Sequence, residues 1–584
     1  MKKILIGIVI AAVVVGAVLL AGPGLVGNGA ERALKASLNL MSQPGVYRVE
    51  LTDYQRGWFS STATSRFVLE GDLAQTYQNA LAEEGLAPDS NTVTLQHKLS
   101  HGPLLMTADG PKVALAYAET DLQPPPSIAD LLEPYLDGKP LFDFQTTFSF
   151  NGASSTEIHN PPYSGTTPTG MTIRWDGIAG TLVVEEHAAQ YGLRAPKFRG
   201  EGTAGTIHID DVLVEGDLAK FLENLWTGDL LFSFPKITVR TGEQDIAIDD
   251  LTFSIQATST GGDRTGAQLE LRVAEVRAPG TQIGETSFSV ALENLDAIAA
   301  DAIAGRLEQF SKALRDGADA RSEIDALMNV DLASVFTGAS EMTVAFLGDI
   351  DTPEIRLKGD WSVAATGENN RITALLRQNV KDYEADDLIL TDSMSQLTLN
   401  GLNGTALADM YRDLIAISMQ SLPADEQQQQ LMGIYARHLP NMVDQKTKLS
   451  LDALTLNVPA GSLRATASLA IEGDEPLNLM MPVTLFPRLD GMLSAQASED
   501  AMLWLLSRQT VGVIRQSLEA SGRSVTQQDV EQLALTVARD RLNGLLAEAL
   551  LRRERENIVV DATIRQGALI LNGVPRPDLF GGGR

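Results

Sequence analysis

Leu251-Thr252-Phe253-Ser254-Ile255 alternates apolar and polar side chains, and the alternation returns after residues 258–266 in Gln268-Leu269-Glu270-Leu271-Arg272-Val273. A period of two places every second side chain on the same face, which is the pattern of a half-buried strand. The break between the two runs is rich in Gly and Thr, so the two strands read as antiparallel neighbours. Leu454, Leu456 and Val458 repeat the pattern, as do Ala465, Ala467, Leu469 and Ile471. The chain therefore reads as α+β with a long, mainly antiparallel sheet. Thr252, Ser254, Thr455 and Asn457 are polar at the alternate positions, which predicts a sheet that buries its apolar face under its own helices and leaves no lipid-length channel.

Working outward, strands run into helices in a loose repeat. Residues 288–295 lead into a helix over 296–314, residues 397–403 into one over 405–422, and residues 212–216 into a shorter one over 217–226. Asp296, Thr405 and Asp217 stand at the starts, where a side-chain oxygen can accept from first-turn amides. From Ser498 the pattern turns helical. Leu535, Ala538, Leu542, Leu545 and Ala549 follow helical spacing, Ser524 is placed to cap, and Arg552, Arg553 and Arg555 suit a negative carboxyl end. A last strand pair is read at 558–564 and 568–571.

At the other end, residues 4–20 are apolar, preceded by Lys2 and Lys3 and followed by no charge until Glu31. With the uncharged residues after it, the run reaches the roughly 20 residues that span a bilayer. The two lysines keep the amino end in the cytoplasm and send the rest across. The competing reading is a cleaved signal, but the run is longer than a signal h-region and ends without a clear small-x-small site. Either way the bulk is exported. The domain reading is thus a cytoplasmic tip at 1–3, an anchor at 4–21, a juxtamembrane linker and short helix at 22–45, a body in two parts at 46–330 and 331–576 with a helical region near 498–556, and a flexible tail at 577–584.

Composition narrows the function class. Hydrophobic residues at 44% and charged residues at 21% are globular values, so most of the 584 residues are expected to fold. Without Lys2 and Lys3 there are 44 basic against 75 acidic groups, a net of −31. Such a surface repels polyanions and excludes nucleic acid as a main partner. With no cysteine, disulfides, thiolate metal sites and cysteine nucleophiles are excluded too. This composition suits an oxidising envelope compartment.

Two motifs stand out. One is Tyr54-Gln55-Arg56-Gly57-Trp58-Phe59-Ser60-Ser61, between strands read at 46–53 and 62–69, with Gly57 expected to allow a bend that a β-branched residue would resist at positive φ. It is followed by His101-Gly102-Pro103-Leu104. The other is Gly567-x-Leu569-x-x-Asn572-Gly573 near the carboxyl end. With the Lys-rich start and the apolar anchor, these landmarks make the chain resemble the YdgA-like family of bacterial inner-membrane proteins, a domain of unknown function. The resemblance implies a single-pass envelope protein with a periplasmic body. It supplies no catalytic residues, so Tyr54, Arg56, Gly57, Trp58, Phe59, Ser60, His101, Gly102, Pro103, Gly567, Asn572 and Gly573 are motif residues without an assigned role.

The remaining constellations are weak. The glycine series beginning at Gly22 and at Gly200 have dinucleotide-loop spacing but lack a strand before and a helix after. Six histidines form no motif; His97 and His101 share a face, yet no third ligand is identifiable, and His208 reads as solvated. Asp210-Asp211, Asp249-Asp250 and Asp386-Asp387 are paired acids, the raw material of a glycosidic hydrolase if folding sets their separation, and otherwise solvated strand ends. Neither a cofactor nor a metal is expected. The reading is a non-enzymatic envelope protein that binds or organises an envelope component, the partner being protein or lipid and homo-oligomers being compatible. The alternatives are lipid or amphipathic-ligand handling along an apolar groove and a hydrolase with a dispersed carboxylate site.

Overall fold

The computed structural model describes residues 47–577, except 58, 72–73, 76, 80–90, 102–103, 108–109, 127–128, 130–137, 167–169, 204, 243, 316–339, 386–387, 419–423, 473–485 and 521–525. The membrane segment read at 4–21 and the linker at 22–45 lie outside the described residues. Among the described residues no helix is long and apolar enough to cross a membrane. The architecture is mostly antiparallel β-sheet with a few helices. The chain divides into two compact units, Met1–Pro279 with Ala297–Val330, and Gly280–Asp296 with Asp331–Arg584.

In the first unit the principal strands are β1 (Tyr47–Arg56), β2 (Ser60–Leu69), β3 (Thr92–His101), β4 (Ala116–Gln123), β5 (Asp143–Phe148) and β6 (Ser154–Asn160). They continue as β7 (Ile178–Val184), β8 (Ala188–Gly202), β9 (Gly205–Lys220), β10 (Trp226–Thr241), β11 (Gln244–Gly261) and β12 (Arg264–Val273). Each pairs antiparallel with the next, a meander in which sequence neighbours are sheet neighbours. Alternation along β2 and β3 turns Phe67 and Leu99 inward, where Phe142 and Ile158 join them; Tyr47 stacks on Phe67 at 4.6 Å. Residues 217–220 extend β9 and Trp226 opens β10, so the helix read at 217–226 is absent: Asp217 pairs in register with Gln190 and Asp229 instead of capping.

Four of the long strands break at one level. Pro196 lies opposite Asp211 and Pro235 opposite Asp250, each pair skipped by the ladder. Proline has no N–H to give, while Asp211 (φ 57°) and Asp250 (φ 51°) take the left-handed conformation that Asp tolerates better than bulkier residues. Two of the paired-acid motifs are therefore residues of a crease. The helix α1 (Ala297–Arg315) is tied to this unit through Asp301, whose carboxylate accepts from the Asn224 backbone amide at 2.7 Å.

The second unit starts with β13 (Thr286–Asp296), β14 (Ser340–Asp351), β15 (Ile355–Glu368), β16 (Arg371–Ala385) and β17 (Leu388–Asn403). Helices α2 (Gly404–Ser418) and α3 (Ala424–Met442) intervene before β18 (Lys448–Val458), β19 (Gly461–Ile471) and β20 (Leu489–Ser498). Helices α4 (Glu499–Ala520) and α5 (Gln527–Ala547) precede β21 (Asn557–Arg565) and β22 (Ala568–Leu571). Every strand again pairs antiparallel with the next, including across the two helical insertions.

The caps differ from those expected. In α2 the Thr405 amide donates to Asn370 Oδ1 at 2.9 Å and the Ala406 amide to Asn403 Oδ1 at 3.2 Å, so two asparagines cap and Thr405 does not. In α5 the cap is Thr526, in a reciprocal box with Asp529; Ser524 lies outside the described residues. Arg552 and Arg553 belong to a short strand, and the carbonyl of Glu548 at the helix end accepts from Arg576 at 2.9 Å.

Candidate functional site

The motif at 54–61 is the first hairpin. β1 ends at Arg56 and β2 starts at Ser60, so Gly57 opens the turn. Gly57 is not in the left-handed region. Its constraint is closeness: a Cβ there would stand 2.3 Å from the carbonyl oxygen of Ser60. Phe59 points outward, 77% exposed, and its carbonyl accepts from the His101 backbone amide at 2.8 Å. Ser61 Oγ lies 2.8 Å from His101 Nε2. Burial, with the nearby Arg56 cation adding to it, lowers the His101 pKa. Tyr54 packs against the core from β1. Trp58, Gly102 and Pro103 are outside the described residues.

Four residues back along β3, His97 is 5% exposed, with Nε2 2.8 Å from Ser65 Oγ and Nδ1 2.8 Å from Thr120 Oγ1. Burial lowers its pKa to about 4. Ser65 is fully buried, so this Ser–His pair has no route to substrate; it satisfies polar groups inside the sheet. His97 and His101 do share a face of β3, each engaged with a serine of β2. Among the described residues no group of three or more His, Asp or Glu is placed to hold a metal ion. His208, read as solvated, is half-buried with Nε2 3.6 Å from Glu201.

The carboxyl-terminal motif resolves into two turns. Gln566 and Gly567 (φ 47° and 79°) join β21 to β22, and Asn572 and Gly573 (φ 49° and 82°) join β22 to the pair Val574–Pro575. Two successive positive-φ residues are the signature of the type I′ hairpin, which favours Asn-Gly. Asn572 also donates from Nδ2 to the carbonyls of Ala549 and Leu550, each at 3.1 Å, and accepts from the Asp561 amide at 3.0 Å. The motif thus fastens the chain just beyond α5 to the last hairpin, a structural task.

In each of the two paired-acid motifs among the described residues, one carboxylate is engaged with an arginine. Asp211 receives two hydrogen bonds from Arg194 at 2.5 and 3.0 Å, which hold its carboxyl below the usual range, and Asp249 pairs with Arg277 at 2.5 Å. Asp386 and Asp387 are not among the described residues. Asp121 and Asp143 stand opposite one another on β4 and β5; burial, and then the Asp143 charge, raise the Asp121 pKa. Asp121 is exposed on β4.

A trough of about 310 Å³ lies in the second unit, bounded by residues of β17 to β22. Register explains it. Val290, Val344, Val363, Leu376 and Leu397 follow one another across β13 to β17, and Leu451, Ala467, Leu493, Ala562 and Leu571 continue the row across β18 to β22. Two residues along each strand, a second row runs from Leu292, Met342, Ala365, Ala374 and Leu399 to Leu449, Leu469, Gly491, Ile564 and Leu569. Residues directly opposite share a face, so both rows lie on one side of the sheet. Exposed Arg464, Thr466, Ser494 and Gln496 belong to the other side.

The expectation that helices bury this face is not met. Leu506 of α4 and Ala538 and Leu542 of α5 pack on Ile558, which alternates with Val560, Ala562 and Ile564 on the same face. The helix pair therefore covers only a margin, leaving Leu449, Leu469 and Leu493 at 38–39% exposure. The signal was present in the sequence as the alternation of 454–458 and 465–471; what it lacked was the pairing that aligns ten strands.

No curated protein and no solved structure matches this chain. A family model does, over residues 1–348 and 347–577. The chain belongs to the family described as bacterial protein of unknown function (DUF945).

Proposed function

We propose that this is a single-pass inner-membrane protein, amino terminus cytoplasmic and bulk periplasmic, whose second unit holds acyl chains of an amphipathic envelope component in the trough. The observation that carries the reading is the pair of apolar rows that runs across ten strands, in which Val363, Leu376, Leu449, Leu469 and Leu493 stand exposed. Nine strand-to-strand steps of roughly 4.8 Å make a stripe about 43 Å long, exceeding the roughly 30 Å hydrocarbon core of a bilayer. Soluble proteins rarely leave large contiguous apolar patches open unless they bind something. The lysines and apolar run at the amino end support the membrane location. Binding or organising an envelope component without a trough is the weaker reading, since it gives the rows no task. A carboxylate hydrolase is weaker still, because Asp211 and Asp249 are engaged with arginines.

The test compares lipid co-purifying with the full-length chain, with a Leu449→Gln/Leu469→Gln/Leu493→Gln variant and with Thr466→Gln on the opposite face. Lipid around the anchor is common to all three and cancels. The triple variant is expected to carry less lipid than the other two; equal loading of all three would sink the reading.

A further inference from the structure

Resting on that reading, we infer that the trough selects its ligand by chain and not by headgroup: it takes the long acyl chains of phospholipid-like amphiphiles, lying across the strands, with the headgroup left in water and no fixed limit on chain length. The shape sets the orientation. The two rows are two residues apart, roughly 7 Å, and extend about 43 Å across the sheet, while α4 and α5 close the same face at Ile558, so the longest open apolar path runs perpendicular to the strands.

The chemistry sets the selectivity. All side chains of both rows are apolar, and none is Lys, Arg, His, Asn or Gln. An ionised phosphate or carboxylate drawn onto such a surface loses its hydration and gains no partner, so the headgroup stays outside. What remains is transfer of methylenes from water, worth about a fourfold gain in affinity per fully buried CH₂. A pocket with an end wall would measure chain length. The trough spans β17 to β22, and the same rows run on through β16 to β13 with no charged or bulky polar side chain interrupting either, so nothing within the rows stops a longer chain. The acidic surface acts at long range only, disfavouring anionic amphiphiles at low salt and losing that effect once screened.

The experiment uses the full-length chain held in an amphipathic polymer, loaded with a pyrene-labelled phosphatidylcholine, in about 1 M salt where the screening length is about 3 Å. Lysophosphatidylcholine and lysophosphatidylglycerol of matched chain length compete for the probe, each over a series of chain lengths below micelle formation. The expected result is that the two headgroups compete within about threefold of each other while each added pair of methylenes strengthens competition severalfold, without an optimum. A tenfold headgroup preference, or a chain length beyond which competition weakens, overturns the inference while leaving acyl-chain binding in place. Retention of the probe no better by the wild type than by the Leu449/Leu469/Leu493 glutamine variant overturns acyl-chain binding itself, and this inference with it.

Discussion

His97 Nε2 and Ser65 Oγ face each other at 2.8 Å inside the first unit, with Thr120 Oγ1 closing the other side of the ring. An imidazole so enclosed stays neutral, and its pKa falls from 6.5 to about 4. The unfolded chain therefore binds more protons than the folded one between those values. The stabilising contribution is complete above about pH 6.5 and is lost as pH falls towards 4, up to about 3 kcal/mol. Chemical denaturation of the wild type and of His97→Gln over this range is the measurement. The variant is expected to be less stable at pH 7, with a shallower loss towards pH 4; identical slopes would mean that His97 does not carry the effect.

Gly57 is constrained by the Ser60 carbonyl and not by its φ. Alanine should therefore be nearly as harmful as valine, each costing about 1–3 kcal/mol because the turn must open to admit a Cβ. Thermal unfolding of Gly57→Ala and Gly57→Val checks this. An unshifted alanine transition would leave the close contact without consequence.

Asn572→Asp keeps a residue that tolerates positive φ but replaces the Nδ2 donor with an acceptor facing the carbonyls of Ala549 and Leu550. It is expected to destabilise the last hairpin and the end of α5 by about 1–3 kcal/mol, more than Gly573→Asn, which retains a left-handed former. Hydrogen exchange in residues 540–572 reads the difference. Equal protection in the two variants would show that the Asn572 amide is dispensable.

A reporter enzyme fused after Arg584 should be active only in the exported compartment if the amino-terminal lysines orient the chain as proposed. Deleting residues 4–20 should trap the activity in the cytoplasm. Cytoplasmic activity of the intact fusion would refute the proposed topology.

The sequence by itself determined the local elements. Period-two alternation at 251–255, 268–273, 454–458 and 465–471 put strands where they are, because alternation needs only a buried face and an exposed one. Strands read at 558–564 and 568–571 were legible for the same local reason, and the absence of cysteine left packing to hold the units. The tertiary structure decided what those elements do. Asn370 caps a helix that starts 34 residues later, and Asp211 and Asp250 become crease residues only because prolines of neighbouring strands stand opposite them. The trough depends most on this level. Whether Leu451 meets Leu397 on one side and Ala467 on the other is a matter of register, and a slip of one residue would move each strand's apolar set to the opposite face. How far α4 and α5 reach over that face is likewise absent from any single stretch of sequence, since it follows from the packing of Ile558 against residues that precede it by about 50 and by about 20 positions.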